Sequence, residues 1–487
     1  MLACSSRGRG GGAPDSELPP ELAEIVREVD SAPRGSRLRE ELERIAERAL
    51  SVYRSSLWSD ASARAFRVSV EATELFFESG REPELFERFF LPGHSIPMVY
   101  LSGQGFNFHP INALNYATEL IEYEGDEESF VRVMEELSEY VEVRSIDGRR
   151  VGLLPHYFSW VRGPYPWYSS ISQGLGAGYM AMASRLGGGE DLMETAELLV
   201  EAFFLPPERG GVRVELGGPV SLIGGRSFTL ERVEGGRPFY VEYSDAPDDL
   251  VLNGFMLSLK GLWIYSSLTG DERASSLLED GLTTLEDIVE LYDTGDWSLY
   301  SNLHGPATER YHRLHVRLLY FLGAACHRER LVEEALEWDG YLVASGRDSE
   351  IPRAVEQARF WTQLISELSR VGGGSHVEDS RRGEEEGTRL ESSRSPGPGS
   401  GPGALRLHTV RLPLPPGDKD DVLRPGYREG RHGLQEARRP RLRRQGQGVR
   451  EVDRKRISVQ RRSADIGRLL VQSLRLARRD APDNRGV

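Results

Sequence analysis

Four times between residues 110 and 344 the chain repeats one pattern. A helix-length stretch carries aromatic and polar side chains among small ones, and an ordinary amphipathic stretch follows at once. The pairs are 110–123 with 126–141, 168–185 with 192–204, 249–268 with 271–291, and 308–322 with 329–344; residues 351–368 close the series. In the second members the charged residues fall on one face, as Glu128, Glu135, Glu136 and Glu139 do against Phe130, Val133 and Leu137. First members that are not amphipathic and second members that are predict an inner and an outer layer of antiparallel helices. The expected fold is therefore mainly α: an α/α toroid, or incomplete barrel of paired antiparallel helices. An irregular helical bundle satisfies the same periodicity and stays as the alternative. One long insertion, 211–243, alternates in Val212-Arg213-Val214-Glu215-Leu216 and again over 228–233, with glycines between, and reads as a small β insertion.

The flanks differ from this centre. Residues 1–19 read as a disordered Gly/Pro/Ser arm, and 20–94 as an N-terminal helical segment with helices at 22–29, 38–53, 61–78 and 83–90 and a loop over 91–104. Residues 95–370 form the expected main domain. Of 42 aromatic residues, 41 lie in 1–370 and Tyr427 alone beyond it, so residues 371–487, rich in Arg, Pro and Gly, cannot supply a core and are expected to be a disordered tail. The net charge of −15 divides in the same way: −25 over 1–370 and +10 over 371–487. Within the tail, 457–478 could make a basic amphipathic helix able to meet an acidic membrane surface or nucleic acid; dispensable disorder is the favoured reading, and no nucleic-acid partner is expected. A homodimer is an open reading.

Mean hydropathy of −0.44 and the lack of any apolar run of about 20 residues predict a soluble chain. Two cysteines, Cys4 and Cys326, cannot build a disulfide framework or a four-cysteine zinc site. Met1-Leu2-Ala3-Cys4 resembles a lipoprotein cleavage box but has no signal region before it. The default expectation is cytoplasmic, with an extracytoplasmic location if the start is truncated.

Generic catalytic motifs are weak. Gly174-x-Gly176-x-Gly178 has neither the strand nor the acidic residue of a dinucleotide site and is read as close helix packing. His312 and His315, at i and i+3, could ligate a metal with His304; histidines lining a polar cavity is the favoured reading. More telling are polar aromatics grouped at expected helix beginnings. Glu242-Tyr243 precedes Asp248-Asp249-Leu250-Val251-Leu252-Asn253; Asp293-Thr294-Gly295 runs on to Tyr300; and Arg310-Tyr311-His312-Arg313-Leu314-His315 opens the next inner helix. Tyrosine, carboxylate and arginine at one mouth of helix N-termini suit a sugar acid.

These same segments carry a family resemblance. Val251-Leu252-Asn253-Gly254-Phe255-Met256-x-Ser258-Leu259-x-Gly261-Leu262, Leu291-Tyr292-Asp293-Thr294-Gly295, Tyr311-His312-x-x-His315 and Trp167-Tyr168-Ser169-x-x-x-Gln173-Gly174-x-Gly176 resemble, in order, the C-terminal domain of D-glucuronyl C5-epimerases over roughly residues 95–345. The resemblance implies an α/α toroid and an isomerase that turns D-glucuronate into L-iduronate within a heparosan-like polysaccharide. It places the family's catalytic positions on Glu242, Tyr243, Tyr300 and Tyr311. Asn253, His304, Arg310, His312, Arg313, His315, Trp167 and Gln173 become expected substrate contacts. One departure stands out: where animal members have an arginine thought to serve the active site, this chain has Leu303, and Arg310 or Arg313 is left to substitute. The family's upstream β-barrel has no counterpart in the helical reading of 20–90.

Inverting C5 requires proton removal beside a carboxylate and proton return from the opposite face, with support for the carboxylate. Glu242 and Tyr311 are the expected opposed pair, Tyr243 and Tyr300 assist or orient, and the chemistry asks for no metal or organic cofactor. Two other readings use the same residues. A polysaccharide lyase would stop after the first half of the reaction, and a glycoside hydrolase would pair Glu242 with Asp248 or Asp249. A third is a glycan-binding protein that has lost turnover.

Overall fold

The computed structural model describes residues 18–159, 165–223, 227–232 and 234–372. The arm expected over 1–19 and the tail expected over 371–487 therefore lie almost wholly outside the described residues. The chain divides after His109 into two compact units.

The first unit holds α1 (Pro20–Ser31), α2 (Arg37–Arg54), α3 (Asp60–Glu78) and an antiparallel sheet of β1 (Arg88–Phe90), β2 (Pro97–Leu101) and β3 (Gly105–Asn107) in the order β1-β2-β3. Ser36 and Ser59 cap α2 and α3 through their side-chain oxygens. The helix expected at 83–90 is corrected here. Phe86 takes a positive φ of 66°, its N–H donates to the Tyr100 carbonyl, and Arg88 pairs with Val99. A strand partner thus claims a segment whose local pattern reads as helix, and the loop expected over 91–104 supplies that partner.

The second unit is mainly helical. In chain order it comprises α4 (Pro110–Glu119, extended by a π turn Leu120–Glu124), α5 (Glu127–Ser138), β4 (Glu142–Ile146), β5 (Arg149–Leu153), β6 (Pro155–His156), β7 (Trp167–Tyr168), α6 (Ser170–Arg185), α7 (Asp191–Val200), β8 (Arg213–Ile223), β9 (Ser227–Arg232), β10 (Arg237–Tyr240), α8 (Leu252–Thr269), α9 (Glu272–Ile288), α10 (Glu309–Ala325), α11 (Glu329–Ala344) and α12 (Ile351–Gly372). The two-layer expectation matches the packing. Helix α6 lies against α4, α8 and α12, while α8 and α10 pack on each other and on α12; α5, α7, α9 and α11 cover this inner set.

Burial separates the layers. Every residue of α6 from Ser170 to Ala183 is buried, and nearly all of α8, whereas α5 buries only the stripe Phe130, Val133, Met134 and Leu137. Two of the outer helices, α5 and α9, carry side-chain caps: Asp126 accepts from Ser129 N–H, and Asp271 from Arg273 and Ala274 N–H. The Gly174-x-Gly176-x-Gly178 run is a helix seam, as read. A Cβ on Gly261 of α8 would stand 2.1 Å from the carbonyl carbon of Gly174, and one on Gly178 would stand 2.8 Å from the Gly261 carbonyl oxygen.

The β insertion is an antiparallel three-stranded sheet in the order β10-β8-β9, with β10 against α8 and α9. Two strand pairs were not anticipated. The β4–β5 hairpin turns at Asp147 and Gly148, both at positive φ (52° and 75°), and β6 pairs with β7.

Candidate functional site

The last strand of the insertion delivers Glu242 and Tyr243. Val241 extends the ladder by donating its N–H to Val212, while its carbonyl accepts from Ser170 N–H at the start of α6. Ser244 N–H then donates to the Tyr168 carbonyl. The pair is therefore pinned between β7 and α6 on one side and the head of α8 on the other. Gly254, in the first turn of α8, makes this approach feasible, since a Cβ there would lie 2.6 Å from Glu242 Oε2.

A second anchor brings in the segment 298–304. Asn302 Oδ1 accepts from Leu250 N–H at 2.7 Å and its Nδ2 donates to the Asp248 carbonyl at 3.0 Å. Leu252 N–H donates to the Tyr300 carbonyl, and Tyr292 O–H donates to the Leu250 carbonyl at 2.8 Å. Tyr311 joins from α10, where Thr308 caps the helix. The rings of Tyr300 and Tyr311 meet edge to face at 4.9 Å, and Trp167 stands 5.5 Å from Tyr243. Glu242, Tyr243, Tyr300 and Tyr311, dispersed over 70 residues of sequence, thus form one cluster.

Its electrostatics are unusual. Glu242 is buried, and loss of hydration together with the nearby Asp249 charge pushes its carboxyl up to about 8, against a lowering hydrogen bond from Tyr243. Burial and the Glu242 charge hold the Tyr243 and Tyr300 phenols well above their ordinary range. The Tyr243 hydroxyl reaches both Glu242 and Tyr300, yet its single proton serves one of them at a time. Two buried oxygens of the cluster, Glu242 Oε2 and Asn253 Oδ1, have no hydrogen-bond partner among the described residues. Such oxygens are costly unless a ligand completes them.

The other expected contacts fare differently. Trp167 forms a wall: it stacks on His156 at 3.9 Å, and its Nε1 donates to the Phe158 carbonyl. His304 lies at the rim, 6.0 Å from the Tyr300 ring, and Arg310 immediately precedes Tyr311 in the first turn of α10.

Four other expected contacts are engaged within the protein itself. Gln173 is fully buried and splints the end of β5, its Oε1 accepting from Leu154 N–H at 2.9 Å and its Nε2 donating to the Gly152 carbonyl at 2.8 Å. His312 has both ring nitrogens engaged: Nδ1 faces Ser298 N and Oγ, Nε2 the Trp338 carbonyl, and the ring stacks on Trp297 at 3.8 Å. His315, fully buried, meets the same Ser298 hydroxyl through Nδ1 at 2.9 Å, while its Nε2 has no hydrogen-bond partner among the described residues. Burial pushes His312 down to about 4 and His315 well below its ordinary value, so both are neutral core groups. Arg313 is held by Glu309, Glu350 and the Asp348 carbonyl. Among the described residues no group of three or more His, Cys, Asp or Glu side chains is placed to hold a metal ion, and no helix is long and apolar enough to cross a membrane.

Asp249 is the neighbour that the sequence reading missed as part of this cluster, having been singled out only for the hydrolase alternative. Its one sequence signal is its place, four residues before Asn253.

Comparison with known proteins agrees with this location. Residues 156–340 match the family model described as the D-glucuronyl C5-epimerase C-terminus. A D-glucuronyl C5-epimerase of Caenorhabditis elegans is 29% identical over 197 residues, covering 37% of this chain and 29% of that protein. An uncharacterized protein of Methanocaldococcus jannaschii is 27% identical over 151 residues, covering 31% of this chain and 44% of that protein. The chain thus spans less than half the length of either relative. The resemblance to the D-glucuronyl C5-epimerase family is borne out over residues 156–340, a stretch that contains every member of the cluster.

Proposed function

We propose that the second unit is a glucuronyl C5-epimerase domain that converts D-glucuronate to L-iduronate within a heparosan-like polysaccharide. The observation that carries this reading is Glu242: a buried carboxyl with one unpartnered oxygen, set among the phenols of Tyr243, Tyr300 and Tyr311 inside the family match. The inner helices α4, α6, α8, α10 and α12 with their outer partners support reading the unit as an incomplete α/α toroid.

Glu242 ionises before the Tyr243 and Tyr300 phenols, because its value of about 8 lies below theirs. It therefore takes the C5 proton, and the C5–H electron pair moves into the adjoining carboxylate. Tyr311 returns a proton to the opposite face; in the reverse direction the two exchange roles. The phenolate left on Tyr311 sits in the first turn of α10, at the electropositive end of the helix. Glu242 then releases the proton taken from C5 to solvent and the Tyr311 phenolate takes one up, which resets the pair, while Tyr243 holds Glu242 through its hydrogen bond. Asn253 Oδ1 accepts from a sugar hydroxyl, a donor that the protein itself does not supply.

Incubation with heparosan-type oligosaccharides in deuterated water, followed by NMR, tests the reading. Deuterium at C5 with iduronate appearing is the expected result, and Tyr311→Phe should slow exchange at least about 100-fold. Unchanged exchange in that variant overturns the role of Tyr311. An unsaturated product absorbing in the near ultraviolet replaces the epimerase with a lyase, and binding without exchange replaces it with a glycan-binding protein.

A further inference from the structure

Proton abstraction at C5 builds charge on a carboxylate that is already negative, so a donor has to face that carboxylate. Resting on the epimerase reading, we infer that His304 and Asp249 form the carboxylate-recognition element of the site: His304 meets the uronate carboxylate through Nε2, and Asp249 holds the ring for it.

The geometry begins at Asp249, which is 7% exposed. Its Oδ2 lies 3.2 Å from His304 Nδ1 and its Oδ1 3.4 Å, with the Ser301 hydroxyl 3.1 Å from the same nitrogen. A carboxylate accepts, so Nδ1 carries the hydrogen directed at Asp249, and Nε2 is the nitrogen left to face outward. The imidazole is placed to be met, because 58% of the His304 side chain is exposed beside the Tyr300 ring. Its backbone is fixed as well. Ser301 Oγ accepts from the N–H groups of Leu303 and His304 at 3.2 and 3.0 Å, and Asn302 fastens the same turn to residues 248–250. In the protonated ring Nε2–H donates to a carboxylate while Nδ1–H stays on Asp249, giving a charge-assisted bond at the rim of the cluster.

Arg313, the arginine two residues after Tyr311, is already committed to Glu309 and Glu350. Leu303, the residue before His304, turns its side chain to solvent with 62% exposure.

Binding by the full chain of a heparosan-type oligosaccharide is compared with binding of the same oligosaccharide after reduction of its carboxylates to alcohols. The wild-type chain should prefer the carboxylate form by about tenfold or more in Kd. His304→Gln should abolish most of that preference, His304→Arg should restore it, and Asp249→Asn, a change to a positioning residue, should leave an intermediate value. Tyr311→Phe, impaired in exchange, should keep the full preference. An equal preference in wild type and His304→Gln overturns the assignment of His304 and leaves the epimerase reading standing. Binding of neither form by the wild-type chain overturns both.

Discussion

Two glutamates lie buried at the inner helices, and the protein treats them in opposite ways. Glu122, in the π turn that ends α4, is 2% exposed and both oxygens are paired, one with Gln357 Nε2 and the other with Trp361 Nε1 at 3.0 Å. Around it Tyr123 accepts from Arg353 and Gln357, and Lys260 rests on Trp361. Glu242 is 5% exposed, yet one of its oxygens has no partner. A buried polar group that is fully paired holds the fold together, whereas one left incomplete is a cost kept for a ligand or a reaction. Burial alone does not tell the two apart; the count of partners does.

The sharpest way to break this contrast is Glu242→Gln. Exchange at C5 should fall about 1,000-fold, while stability near neutral pH should be equal to or above that of wild type, because Gln keeps an acceptor for Tyr243 and removes a carboxyl whose ionisation is penalised in the folded chain. Solvent-deuterium incorporation and urea unfolding report the two quantities separately; a large stability loss would place Glu242 in the same class as Glu122. Glu122→Ala inverts the expectation. Removing that carboxylate strands the Gln357 and Trp361 donors and takes away the charge that supports buried Lys260, costing about 3–5 kcal/mol of unfolding free energy. Exchange per folded molecule should stay near wild type.

The pH dependence separates the chemical from the structural role of Glu242. The carboxyl acts as base only when ionised, so its limb of the rate profile should rise with pH toward about 8. Stability runs the other way. The folded carboxyl binds its proton more tightly than the unfolded one, its value rising from an ordinary 4.5 to about 8, so its contribution is complete below 4.5 and is lost as pH rises through 8. Glu242→Gln should remove both slopes. A rate profile of unchanged shape in that variant would reassign the base.

Local pattern carried a good deal of this. Apolar spacing separated α5 and α9, each with one buried stripe, from α6 and α8, buried all round, because amphipathicity is written residue by residue. The alternating insertion was legible for the same reason. The β4–β5 hairpin was missed although its Asp147-Gly148 turn is a strong local signal, and the strand at Arg88–Phe90 was missed because its partner decided it. For His312 and Gln173 the structure shows partners within the protein that the sequence does not reveal. A polar side chain has the same appearance in sequence whether its partners are Ser298 and the Gly152 carbonyl or a substrate.

The sequence by itself determined the helices of the second unit, their pairing, the glycine seam that lets α6 and α8 touch, and the ordered motifs that carry the family resemblance. These rest on interactions between near neighbours or on residue size, which a linear string records. Only the tertiary structure decided that Glu242 lacks a partner while Glu122 does not, that His312 and His315 are closed into the core, and that Asp249 grips His304. Hydrogen-bond pairing and loss of hydration depend on groups up to 239 residues apart, as between Glu122 and Trp361, and these are set only when the chain has folded.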